Sequence, residues 1–162
     1  MINPINSAKK PEESEIKDFY FKEIELLQGV INRMASNSFM IKGWCLTIEG
    51  ICFSLSFGKT QAITAGICIS IIVSIFWFLD AFFLRTERKY RALYNEVISQ
   101  FNLGNYEIID WFNLKTKEFD NDPKVGTQWK VMWSKTLWPL YLTLVVVAIG
   151  ITVASVFTVN TT

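Results

Sequence analysis

The sequence predicts an all-α membrane protein, and three observations carry that prediction. Apolar and charged residues are segregated: 51% of the chain is hydrophobic and 19% is charged, yet Gly43 to Leu84 holds only Glu49, Lys59 and Asp80 as acids or bases, and Leu137 to Thr162 holds none. The apolar blocks have the lengths of membrane helices rather than of strands. The polar stretches between them repeat in threes and fours, the helical period. The layout expected is a cytoplasmic tail and amphipathic helix over 1–40 and a transmembrane hairpin over 41–84. A cytoplasmic helix and aromatic segment over 85–135 follow, then a third transmembrane helix with a short outer tail over 136–162.

Met1 to Glu13 is polar and contains Pro4 and Pro11, a composition that favours disorder and lacks the early apolar stretch of a signal peptide. From Ser14 to Ser38, a stripe of Tyr20, Ile24, Leu27, Ile31 and Met34 leaves Lys17, Glu23, Glu25 and Arg33 off it. Such a stripe serves a coiled coil or a helix packed on its own chain. The triplet Ser36-Asn37-Ser38 is expected as a kink, a cap or a loop.

The first apolar block runs from Ile41 to Phe57, the turn Gly58-Lys59-Thr60 follows, and the second block spans Gln61 to Leu84. A bilayer core about 30 Å thick takes about 20 helical residues. The second block meets this, and the first does so by recruiting Phe39 and Met40 or by thinning the membrane. A connection this short forces an antiparallel hairpin. Beyond it, Tyr90, Leu93, Val97 and Phe101 keep the helical period, so the second span continues as a cytoplasmic helix. Asn102-Leu103-Gly104 reads as its stop, because glycine accepts the left-handed conformation past a helix end. The stretch NYEIIDWFNL is open between an interfacial helix, a short strand and a docking patch carried by Trp111 and Phe112. DNDPKVG reads as a turn.

The third block, Leu137 to Val159, carries no charge. Trp133, Trp138 and Tyr141 stand at its entrance, where aromatic rings favour the headgroup layer, and Pro139 suits a first helical turn. Lysine and arginine bias sets orientation. Lys22, Arg33 and Lys42 precede the hairpin and nine basic residues lie between Arg85 and Lys135, whereas the hairpin tip has Lys59 alone and the C-terminal tail has none. The positive-inside rule puts the N-terminus in the cytoplasm and the C-terminus outside.

Glu49 is the sharpest candidate. A carboxylate deep in a bilayer is costly, so it needs a partner or water. Cys45, Glu49, Cys52 and Ser56 share one face of the first span, and Ala62, Gly66, Ser70 and Ser74 form a small-residue stripe on the second. Two readings stand open: Glu49 protonated and bonded to Ser70 within the hairpin, or copies of Glu49 ringing a pore in an oligomer. Asp80 is expected near the cytoplasmic surface, paired with Arg85 or Lys42 as an interface anchor. The cluster Arg85, Arg88, Lys89 and Arg91 suits anionic headgroups.

Several functions lack their residues. There is no histidine, no glycine-rich phosphate loop and no serine-hydrolase elbow, so an enzyme is not expected. The cysteines Cys45, Cys52 and Cys68 have no metal or redox spacing, Asp120 and Asp122 lack the rest of a calcium loop, and neither cofactor nor metal is expected. A net charge of +1 gives no basic field for DNA. Trp129 and Trp133, with Lys130 and Lys135, read as a membrane-interface belt rather than a base-stacking platform.

Two stretches, INRMASNSFMIKGW before the first span and FWFLDAFFLRTERKYRALYNEV closing the second, resemble a group of small bacterial membrane proteins. Over about residues 24–100 the layout is similar to the SLATT-type membrane effectors. That resemblance implies a homo-oligomer of the inner membrane that forms pores in an antiviral, abortive-infection system. It also implies a cytoplasmic protein or a nucleotide as the signal. The alternative is a non-conducting scaffold or sensor whose 85–135 region binds a partner protein.

Overall fold

A computed structural model describes residues 13–56 and 62–160, all-helical with no strand among them. The expected turn at Gly58-Lys59-Thr60 lies outside the described residues, as do the side chains of Ser56 and Ala62. Helix α1 covers Glu13–Ser56 and α2 covers Ala62–Asn102. At 1.5 Å per residue each is about 60 Å or longer, roughly twice a bilayer core. A 3-10 turn at Lys117–Asn121, a short α3 at Gln128–Met132 and a final α4 at Trp138–Asn160 complete the chain.

Contacts fix how the helices run. Tyr20 stacks on Phe101 at 3.8 Å, Gln28 bonds Tyr94, and Ser38 bonds Asp80, so α1 and α2 are antiparallel along their lengths. The same register carries Glu49 to the level of Ile69 and Val73. Helix α4 runs antiparallel to α2 in turn, with Thr152 beside Gly66 and Tyr141 beside Trp77. Helix α2 is thus the shared member, packed on α1, α3 and α4.

The seam of α1 differs from the expected stripe. Its buried positions are Ile16, Glu23, Leu27, Ile31, Ser38, Ile41, Cys45 and Glu49, whereas Tyr20, Ile24 and Met34 are only half-buried. Ile16, Leu27, Ser38 and Glu49 recur every eleven residues, a period that fits a nearly straight pair better than a heptad coil. The seam faces α2 of the same chain, which resolves the open choice among the described residues. Ser36-Asn37-Ser38 lies inside the continuous helix α1, so it is neither a cap nor a loop, and Ser38 turns its hydroxyl across the seam to Asp80.

Helix α2 ends where expected. Leu103 N–H bonds Ser99 O, Asn105 N–H bonds Gln100 O, and Gly104 takes φ +74°. Asp122 O accepts from both Val125 and Gly126, which bears out the DNDPKVG turn. The basic cluster after the second apolar block is spent on this loop rather than left to lipid. Arg85 donates to Gly126 O at 3.0 Å and to Asp120, Arg88 donates to Val125 O, Lys89 pairs with Asp120, and Arg91 pairs with Glu87.

Two hydrogen bonds set α3 across α2: Trp77 Nε1 donates to Met132 O at 3.0 Å, and Gln128 Nε2 donates to Phe78 O at 3.0 Å. Trp77 also stacks nearly parallel on Tyr141 and meets Trp133 edge-on. Leu137, just before α4, and Tyr141, Leu144 and Ala148 within it are buried, at steps of four, three and four.

Three spans are expected, and length and composition single out one among the described residues. Gly66–Asn102 in α2 is long and apolar enough to cross a membrane. In α4 the described apolar run is shorter, Trp138–Ala154, and the apolar stretch of α1 shares its helix with Lys42 and Glu49. Large apolar side chains nonetheless stand exposed at matching levels on all three helices: Trp44, Leu46 and Ile51 on α1, Ile67, Ile71 and Ile75 on α2, and Val146, Ile149 and Val153 on α4.

Candidate functional site: the buried carboxylates

Four carboxylates are buried among the described residues; Glu87 pairs with Arg91 one turn along its own helix, and the surroundings of the other three, Asp80, Glu49 and Glu23, differ. Asp80 is 0% exposed. Ser38 Oγ donates to its Oδ1 at 2.5 Å, while Lys42 Nζ at 2.6 Å and the Tyr141 hydroxyl at 3.0 Å both meet Oδ2. Lys42 also donates to Ser38 Oγ at 2.8 Å. One turn of α1 supplies the serine and the lysine, because residues four apart share a face, and α4 supplies the phenol. Taking an ion pair out of water costs free energy unless its remaining lone pairs find donors. Here they do, and three helices meet at one carboxylate.

The expected partner Lys42 is therefore correct for Asp80, and the expected partner Arg85 is not. Arg85 lies over the 117–126 loop, held by Gly126 O and Asp120. Asp80 is also deeper than a snorkelling anchor. Tyr141, expected at the membrane interface, is fully buried on Trp77 and Asp80. Trp133 and Trp138 do remain exposed at the entrance to α4.

Glu49 is 5% exposed and neither carboxyl oxygen has a hydrogen-bond partner among the described residues. The expected acceptor relationship with Ser70 does not form: Ser70 donates to Gly66 O at 2.9 Å, and Ser74 to Ser70 O at 2.8 Å. A serine hydroxyl in an apolar setting satisfies itself on the carbonyl four residues back when nothing better is within reach. Thr47, Thr143 and Thr152 do the same. The polar face is thus only partly assembled. Cys45 is buried beside Glu49, Cys52 is half-buried, and Ser74 is exposed.

Gly66 serves a different seam from the one expected. A Cβ at this position would run into the Thr152 hydroxyl, so the missing side chain admits α4 rather than α1. Small residues allow such close approach of helices.

Glu23 is the third carboxylate, 1% exposed near the other end of α1. The Phe112 amide donates to its Oε2 at 2.7 Å. Burial pushes the Glu23 carboxyl above its ordinary pKa, the amide hydrogen bond opposes that, and Asp110 adds to the rise. The contact explains the one non-glycine residue with positive φ among those described, Phe112 at 63°. The backbone turns over so that its N–H points at Glu23. Trp111 and Phe112, expected as docking residues for a partner, instead pack on Phe19 of α1, at 6.4 and 6.2 Å between ring centroids. Phe112 stays half-exposed. A cleft of about 590 Å³ opens beside them, lined by Ile16, residues 104–109 and Trp111. No lysine or arginine is among those lining residues, so they offer a phosphate no cation.

Sequence reasoning missed Ser38, Glu23, Trp77 and the Asp120 loop. Antiparallel register could have found Ser38, since it places residues 38 and 42 together opposite Asp80. Nothing in the pattern marks Glu23, whose donor comes from a segment without periodicity.

Together the fold and its seams define a helical protein with, among the described residues, one helix long and apolar enough to cross a bilayer and carboxylates buried between the helices. Set against known families, curated proteins and solved structures, the chain matches none of them.

Proposed function

We propose that the chain is an inner-membrane protein of three spans, with its N-terminus cytoplasmic and its C-terminus outside, and that it acts as an oligomeric, channel-like effector. The observation that carries the reading is Glu49, a buried carboxyl group with no donor, level with the exposed apolar side chains of three helices. In hydrocarbon such a group is stable as the neutral acid. It becomes a cation-attracting site once water reaches it, and acid-lined constrictions favour cations. In this reading the described arrangement is closed, with Glu49 held in the α1–α2 seam. Parting of that seam, within an assembly of copies, exposes the carboxyl to a water path. A single chain is too small to enclose such a path, so assembly is part of the proposal.

Three further features support the membrane part. Apolar side chains face outward at one level on α1, α2 and α4. Hydroxyls at that level are satisfied on their own helices, as a setting without water demands. Lysine and arginine are concentrated on the side assigned to the cytoplasm. The SLATT-like stretches support the effector part, with a protein or nucleotide as signal, and antiviral defence as the setting they imply.

The experiment is ion flux from liposomes holding the full chain, paired with its oligomeric state in nanodiscs. Wild type is expected to assemble and conduct, and Glu49→Ala to change the flux or its cation preference. A stable monomer without conductance overturns the reading. One observation favours the alternative, a non-conducting scaffold or sensor: Glu49 faces the interior of its own bundle rather than an outer surface. On that reading Glu49→Gln leaves function intact, while Trp111→Ala, which loosens the 105–113 segment from α1, abolishes it.

A further inference from the structure

The basic residues after the second apolar block differ in how far the fold uses them, and Lys115, Lys117 and Lys124 are exposed on the segment that leads to α3. Arg85, Arg88, Lys89 and Arg91 are committed to acceptors within the chain. Lys130 and Lys135 are exposed, with no side-chain ion pair among the described residues. No acid occurs from Pro123 to Thr162, so the stretch that carries them holds an uncompensated positive charge. Beside them Trp129 is 68% exposed and Trp133 is 61% exposed.

Position matters as much as composition. The bonds from Trp77 to Met132 O and from Gln128 to Phe78 O pin α3 across α2, one turn from Asp80 and Lys42. At that level Phe78, Leu79 and Phe82 of α2 are exposed and apolar, while the committed arginines begin at Arg85. Helix α3 therefore lies where the outward apolar surface gives way to the charged one. Indole rings favour the layer between hydrocarbon and water, and lysines beside it meet anionic headgroups.

We propose that α3 and the turn after it form an in-plane anchor for anionic phospholipid headgroups, with Lys130 and Lys135 meeting the phosphates and Trp129 and Trp133 seated in the glycerol layer. The site commits to lipid rather than nucleic acid because it continues the outward apolar surface of α2, which a polynucleotide has no means to cover. The inference rests on the membrane-spanning part of the proposed function and not on conduction.

The test is lipid titration of the full chain in neutral detergent micelles, following thermal unfolding as phosphatidylglycerol or phosphatidylcholine with the same acyl chains is added. Phosphatidylglycerol is expected to raise the unfolding temperature and phosphatidylcholine to leave it unchanged. A basic residue near an anionic surface contributes about fivefold in affinity, so Lys130→Gln with Lys135→Gln raises the half-saturating phosphatidylglycerol by about thirtyfold. The corresponding arginine pair keeps the wild-type response, and Lys115→Gln with Lys117→Gln, exposed on the 105–121 segment, also keeps it. Brominated phosphatidylglycerol quenches part of the tryptophan emission, and Trp129→Phe with Trp133→Phe removes that part. Equal stabilisation by the two lipids, or an unchanged half-saturation in the glutamine pair, overturns the proposal. Binding is read without ion flux, so a chain that binds phosphatidylglycerol and conducts nothing refutes the channel and leaves the anchor standing.

Discussion

Asp80 and Glu49 sit on partner helices of one antiparallel pair, both out of contact with solvent, and their company is opposite. Asp80 meets a lysine, a serine and a tyrosine from two other helices, whereas Glu49 meets no donor among the described residues. Burial within the chain and the carboxylate itself do not separate them. The third helix does: Tyr141 of α4 closes over Asp80, but opposite Gly66 the same helix presents Thr152, whose hydroxyl is turned to Ala148 O. One level of the bundle is locked by polar contacts and the next has a polar group waiting for a partner.

The largest expected effect comes from breaking the locked level. Asp80→Ala strands the Lys42 ammonium and the Tyr141 hydroxyl, and removing one partner of a buried ion pair costs about 3–5 kcal/mol. Thermal unfolding in detergent, followed by circular dichroism, measures it. Because the penalty comes from the stranded charge, Lys42→Met combined with Asp80→Leu recovers much of the loss. A double variant no better than the single one refutes the account of the node.

Reversing the experiment at Glu49 inverts the sign. An apolar residue of similar size removes an unsatisfied group, so Glu49→Leu is expected to stabilise the same protein by about 1–3 kcal/mol. A hydrophobic carbodiimide sharpens the contrast, since it adds to a neutral carboxyl and passes over one held as an ion pair. Mass spectrometry of digested protein should find the adduct on Glu49 and none on Asp80. Labelling of Asp80 as well shows that no ion pair holds it, and destabilisation by Glu49→Leu shows that Glu49 has a donor after all.

The seam between α2 and α4 gives a third comparison. Gly66→Ala drives a methyl group into Thr152, and overpacking of this kind costs about 1–3 kcal/mol. Thr152→Ala in the same chain removes the clashing hydroxyl and is expected to restore most of the stability. A double-mutant cycle with independent, additive effects disproves the contact.

The helices themselves were legible because the period of three and four survives in any helical setting, and Gly104 and the 120–126 turn carry their own backbone signatures. The partners of the polar residues were less so. Periodicity names the residues that share a face but not the face they oppose, so Gly66 was matched to the first helix when its empty Cβ position admits the third. Arg85 was read as an interface cation because the loop that consumes it lies 35 residues or more away, in a stretch with no period. Glu23 stands off the apolar stripe of α1, and nothing in the local pattern marks it as buried. Its donor, the Phe112 amide, exists only through a backbone turn with positive φ. Long-range polar contacts of this sort leave no mark in local pattern.

The smallest expected effects are pH dependences outside the apolar region, and they have opposite signs. Hydrogen bonding and charge from Lys89, with Arg85 adding to it, hold the Asp120 carboxyl below its ordinary pKa. A folded pKa below the unfolded value, about 3.9, means stability that is present above that pH and is lost as pH falls through the folded pKa. Hydrogen exchange over 117–126 should therefore quicken on acidification below about pH 4, and Asp120→Asn should remove the acid-dependent part. Glu23 runs the other way. Its folded pKa is raised by burial, so its favourable contribution is full below the unfolded value and declines as pH rises through the folded one. Exchange at the Phe112 amide should accordingly show a component that opens with rising pH, beyond the intrinsic rate increase. Glu23→Gln keeps an acceptor for that amide and flattens the component, while Glu23→Leu exposes the amide at every pH. If the glutamine variant keeps the wild-type profile, the component does not come from Glu23, which then only supplies the acceptor.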